Sequence, residues 1–166
     1  MPDPAHVVQS SPSAETMRLM DLVAADAAEI LDVSLGDSPQ VIIEAIDQCV
    51  REIQKGCGPE LDAEEDLVML LGSLWGNQIV QALSWQWVNI DLTDSDPPFA
   101  AIGVVSPDRD KVIYPFNFVS LCVEKDVLVN ILLVYNVLTE KPESAVYDPG
   151  SCENVMTRIQ HMVPPE

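Results

Sequence analysis

Side chains able to do chemistry are few and scattered in this chain. Its two histidines, His6 and His161, stand near opposite ends, so a histidine-dependent base or nucleophile relay has only those two to draw on. His161 would approach Cys152 only if the helix expected between them were bent, and an exposed terminal histidine is the plainer reading. The cysteines, at 49, 57, 122 and 152, form no C-x-x-C pair and match no zinc spacing. Asp91, Asp94 and Asp96 cluster three carboxylates in one loop. They lack the glycine and the distal glutamate of a calcium-binding EF-hand, and Asp is common in turns for its own backbone hydrogen bonding. Neither a phosphate-cradling glycine loop nor a G-x-S-x-G elbow is present. The chain is therefore expected to be no enzyme, and to need no metal and no cofactor.

Charge is the stronger signal. Against 8 Lys and Arg stand 27 Asp and Glu, a formal net charge of −19. Such a surface repels nucleic-acid phosphate and anionic lipid and attracts a cationic partner; high solubility is the bland consequence. The excess is concentrated early, with 15 acids and 3 bases in residues 1–66. With apolar residues at 48% of 166, the chain can bury a core, and one domain is expected. Residues 1–16 have neither the basic start nor the apolar run of a secretory signal, and without one the cysteines read as free thiols in a cytoplasmic protein. A Cys49–Cys57 bridge runs against that compartment. Residues 67–90 carry no charge, but Gly, Ser, Asn and Gln interrupt them and no Lys or Arg flanks them closely. A buried element is expected there, with no membrane span.

The elements that would position these groups follow from local chemistry. Residues 1–12 read as a loose tail and 13–166 as a single α+β domain. A first helix is expected over 13–31, with Met17, Met20, Ala24, Ala27 and Leu31 inward and Arg18, Asp21, Ala25 and Glu29 on another face. Ser38-Pro39 starts a second helix whose inner face is Ile42, Ala45, Ile46, Cys49 and Ile53, and Gly56 stops it. A third, over 62–83, opens on the acids 62–65 and is apolar almost all round, so it belongs at the centre. Gly72 and Gly76 share a stripe on it that admits another backbone. Residues 85–92, 99–105 and 111–114 read as three strands of an antiparallel meander, with 106–110 a hairpin loop. Helices are then expected over 116–125 and 130–140, although a buried strand would also suit Val127–Leu138, and a short closing helix over 151–162. The fold class expected is thus α+β, with N-terminal and C-terminal helices packed on a three-stranded meander.

Residues for recognition come from what this arrangement leaves outside. Glu44 and Asp47 lie on the acidic second helix, where Asp47 also pairs weakly with Arg51. Trp85 and Trp87 share one strand face and serve either as core or as aromatic anchors. Asp94 and Asp96 sit in a turn, and Arg109 at a hairpin tip.

The pattern Leu71-Gly72-x-x-x-Gly76-x-x-Ile79, then Leu83-x-Trp85-x-Trp87, then Val104-Val-Ser-Pro-Asp108 and Tyr114-Pro-Phe116 resembles a group of small bacterial cytoplasmic proteins of unknown function. Some of these accompany polymorphic or type VI secreted toxins and are regarded as immunity proteins. The resemblance covers roughly residues 60–163 and brings no catalytic residues with it. It implies a non-catalytic inhibitor that neutralises a basic partner protein, such as a cognate toxin. A general interaction or structural module of undefined oligomeric state is the alternative. A small carboxylate-dependent enzyme is the third, disfavoured by the scarcity of His, Lys and Arg in any motif.

Overall fold

The computed structural model describes residues 7–60, 66–92, 99–107, 109, 111–124, 129–140 and 153–155. Within them the chain is α+β, with five helices on one face of a sheet. Helix α1 (Ala14–Ile30) starts where Ser13 Oγ accepts from the Thr16 amide at 3.1 Å. Helix α2 (Pro39–Gln54) starts where Ser38 Oγ accepts from Val41, with Pro39 supplying a ready-made first-turn φ. Both end in Schellman turns. In α2, Gly56 takes φ +77°, Gly56 donates to Ile53 O and Cys57 to Glu52 O. In α1 the left-handed position falls to Asp32, with φ 56°, while Val33 donates to Ala28 O.

Helix α3 (Leu67–Leu83) is capped by Asp66, whose Oδ1 accepts from the Val68 and Met69 amides, so it starts later than the expected residue 62. The acids at 62, 64 and 65 lie outside the described residues. It is the central helix, packed against α1, α2, α4 (Pro115–Glu124), β2 (Gln86–Leu92) and β3 (Phe99–Val105). Among the described residues no helix is long and apolar enough to cross a membrane; the uncharged run divides between α3 and β2. The glycine stripe of α3 admits aromatic rings where a backbone was expected. A methyl group on Gly76 would fall 2.1 Å from Trp87 Cζ2, and one on Gly72 would fall 2.5 Å from Phe116 Cδ1. The two rings stack on each other at 5.7 Å, so the stripe is a slot for a stacked pair.

The sheet corrects the three-stranded expectation. Its order is β1 (Val7–Ser10), β2, β3, β4 (Lys111–Ile113), β5 (Glu153–Asn154), with four antiparallel strands followed by the two-residue β5, which pairs parallel with β4. The added edge, β1 (Val7–Ser10), comes from residues expected to be a loose tail; it pairs with Leu92 to Asn89 of β2. At 153–154 the structure has strand where a closing helix was expected, and residues 156–166 are not among those described. Alternation sends Trp87, Ile102, Val104 and Ile113 towards the helices, while Val88, Ile90, Val105 and Val112 form a second buried cluster on the opposite face. Residues 131–140 form α5 (Ile131–Glu140), which resolves the helix-or-strand ambiguity for that part of Val127–Leu138 in favour of helix.

Candidate functional site

The structure separates the residues expected to meet a partner. Trp85 and Trp87 are 8% and 2% exposed and belong to the core, so neither is a surface anchor. Trp87 has its only polar atom engaged as well: Nε1 donates to Asn77 Oδ1 at 2.9 Å, and Asn77 Nδ2 donates on to Asp21 Oδ1 of α1 at 3.1 Å. Asp47 is also withdrawn, at 5% exposure. One oxygen takes Arg51 Nε and the other accepts from the Leu132 amide at 3.1 Å, while Arg51 Nη2 donates to Val129 O at 2.8 Å. The pair expected to be a weak surface contact is a clasp between α2 and the first turn of α5, because α2 is covered by α4 and α5 as well as α3. Arg109 has φ 58° and is folded back, with Nη2 on Gln86 Oε1 at 3.2 Å. Asp94 and Asp96 lie outside the described residues. Of the expected residues, Glu44 stands exposed on α2.

What lies outside instead is the acidic outer flank of α1 and of α2. Residues 14–54 hold nine acids and two bases, and one of the bases, Arg51, is committed to Asp47. On α1, Glu15, Leu19, Leu22, Asp26 and Glu29 are all exposed and recur at alternating spacings of four and three, which aligns them in one stripe. Leu19 and Leu22 are 54% and 60% exposed. Sequence reasoning passed over these leucines, although the same alternation, read on the side opposite Met20, Ala24 and Ala27, marks them.

A groove of about 320 Å³ lies where the end of α1 meets α2 and the turn after it, lined among the described residues by Ile30, Leu31, Ala45, Gln48, Cys49, Glu52, Cys57 and Pro59. Among the described residues that line it Glu52 is the charged one, and it also accepts from Gln48 Nε2 at 3.3 Å. Glu44 lies one turn before Gln48 on the same flank of α2. Among the described residues no three His, Cys, Asp or Glu side chains are placed to hold a metal ion. Cys49, Cys57 and Cys122 are free thiols.

Burial, then the nearby Glu52 carboxylate, push the Cys49 thiol up to about 11; burial, then Asp47, do the same to Cys122. Between the ordinary thiol value of 9.0 and about 11 the folded chain keeps protons that the unfolded chain gives up. Stability should therefore fall as pH rises through that window. The urea midpoint should be lower near pH ~10.5 than near pH ~8, and the difference should shrink in a Cys49→Ala/Cys122→Ala variant. An equal drop in both proteins would assign the effect to other groups.

Comparisons with protein-family models, with curated proteins and with solved structures returned no match.

Proposed function

We propose that this protein is a non-catalytic binding protein that uses the outer face of α1 and α2 to hold a basic protein partner. The observation that carries the reading is the α1 stripe, in which two exposed leucines are framed by Glu15, Asp26 and Glu29. Exposed leucines seldom need explanation singly. Two aligned on one helix face, with carboxylates at both ends, match the requirements of a partner surface that is apolar at its centre and basic at its rim. Neutralisation of a cognate toxin in the cytoplasm is the specific form of this reading; the charge of −19 and the resemblance to immunity proteins support it. No supporting role remains for Trp85, Trp87 or Asp47 as anchors, since all three are buried.

The test is co-expression with the protein encoded beside this gene, scored by growth, together with association rates over a salt series. Charge complementarity should raise the association rate by about 10- to 1,000-fold at low salt, and the gain should shrink as salt screens it. Leu19→Ala with Leu22→Ala should speed dissociation, whereas Glu15→Lys with Asp26→Lys should slow association. Full rescue by both variants, or a rate indifferent to salt, would remove α1 from the interface. Absence of rescue and of any complex would remove the toxin-neutralising reading.

A further inference from the structure

We propose that the groove between α1 and α2 receives a single arginine or lysine side chain of the basic partner, with its methylenes against Ile30, Leu31 and Ala45 and its cation at Glu52. The inference rests on the reading of α1 and α2 as the partner-binding face. Its own support is the chemistry of the groove.

Apolar walls are provided by Ile30 and Leu31 at the end of α1 and by Ala45 on α2. Long cationic side chains bury their stems on such walls and keep the charged head polar. Among the described residues that line the groove the charged one is Glu52, an acid, and Glu29 and Asp32 flank Ile30 and Leu31 in the chain. Helix polarity adds to the same field. The last turn of α1 and its cap, Leu31, lie at the groove; the end of α2 adds nothing of this kind, since Arg51 is in its last turn and Lys55 caps it. Helix C-termini carry partial negative charge, and α1 has no basic residue in its last turn to offset it. A volume of about 320 Å³ is at the small end for organic-ligand pockets and suits one side chain. A second copy of this chain, with its charge of −19, is the wrong occupant.

Cys57 is exposed on the groove wall and reports occupancy through its rate of alkylation, read at that site by peptide mass analysis. The probes are N-acetyl-arginine methylamide and its neutral isostere, N-acetyl-citrulline methylamide, each at a concentration on the order of ten millimolar, because a fragment this small binds weakly. The arginine compound should slow Cys57 alkylation by about 3-fold or more, the citrulline compound should not, and Glu52→Gln should abolish the difference. The amide keeps an oxygen for Gln48, so the variant tests charge with the fold intact. Equal protection by both compounds, protection by neither, or protection that survives Glu52→Gln overturns the proposal. In the complex, Glu52→Gln should weaken partner binding by about 10-fold. Wild-type affinity in Glu52→Gln, with binding lost in the Leu19/Leu22 variant, overturns the groove and leaves the α1 reading standing. Arginine-selective protection in a chain that binds no basic protein overturns the α1 reading instead.

Discussion

Gly76→Ala should destabilise the protein by about 2–3 kcal/mol, although the same exchange on an exposed helix stabilises by about 1 kcal/mol. The new methyl would lie 2.1 Å from Trp87 Cζ2 and 2.2 Å from Cη2, well inside contact distance. The indole has little freedom to yield. Its face is stacked on Phe116, its Nε1–H is held by Asn77, and Phe116 in turn is seated over Gly72. Relief must come by displacing α3 from β2, which loosens packing at the centre of the core. Urea unfolding followed by tryptophan fluorescence measures the effect. Trp87→Leu in the Gly76→Ala background should recover part of the loss, giving a double-mutant coupling of about 1 kcal/mol or more. A Gly76→Ala protein as stable as wild type would show that the slot is loose.

Asp47→Ala should cost about 2–4 kcal/mol, an effect of similar size. The carboxylate is buried and meets both Arg51 and the Leu132 amide, so removing it leaves a donor at the first turn of α5 without its acceptor. Asp47→Asn keeps one oxygen for Leu132 and should lose about half as much. Arg51→Ala should lose less than Asp47→Ala, because the Arg51 side chain is 45% exposed and water already screens the pair. Hydrogen exchange separates the two functions of Asp47. The Leu132 amide should exchange faster in Asp47→Ala but stay protected in Asp47→Asn. Unchanged protection in Asp47→Ala would show that the clasp does not hold α5.

The elements written in local chemistry were the legible ones. Ser13, Ser38-Pro39 and Gly56 act on backbone groups within four residues, so the bounds of α1 and α2 can be read without knowing what they pack against. Strands β2 to β4 showed through their alternation. Strand β1 did not, because Val7–Ser10 spans four residues between Pro4 and Pro12, and its pairing is decided by β2. Asp47 misled for a related reason. Helical spacing puts it beside Arg51, but whether that side faces water depends on α4 and α5, which come much later in the chain. The tryptophans were placed correctly on one strand face, and only the third dimension shows that Gly72 and Gly76 cut the slot that buries Trp87. In the candidate face, Leu19 and Leu22 were legible as a spacing, whereas the groove at Glu52 is made by two helices and a turn and has no signature in any one of them.

The pairing of β1 with β2 also has a meaning in time. During synthesis Val7–Ser10 leaves the ribosome on the order of eighty residues ahead of its partner, which at ~5–20 residues per second is a wait of several seconds. In that interval α1 and α2 can already form from contacts close in the chain, while the earliest strand has no neighbour to close on. The oldest strand of the sheet thus stays unpaired until β2 has been made. A chaperone, a protease or a waiting partner that reads an extended segment has its best access to this protein before β2 has been made.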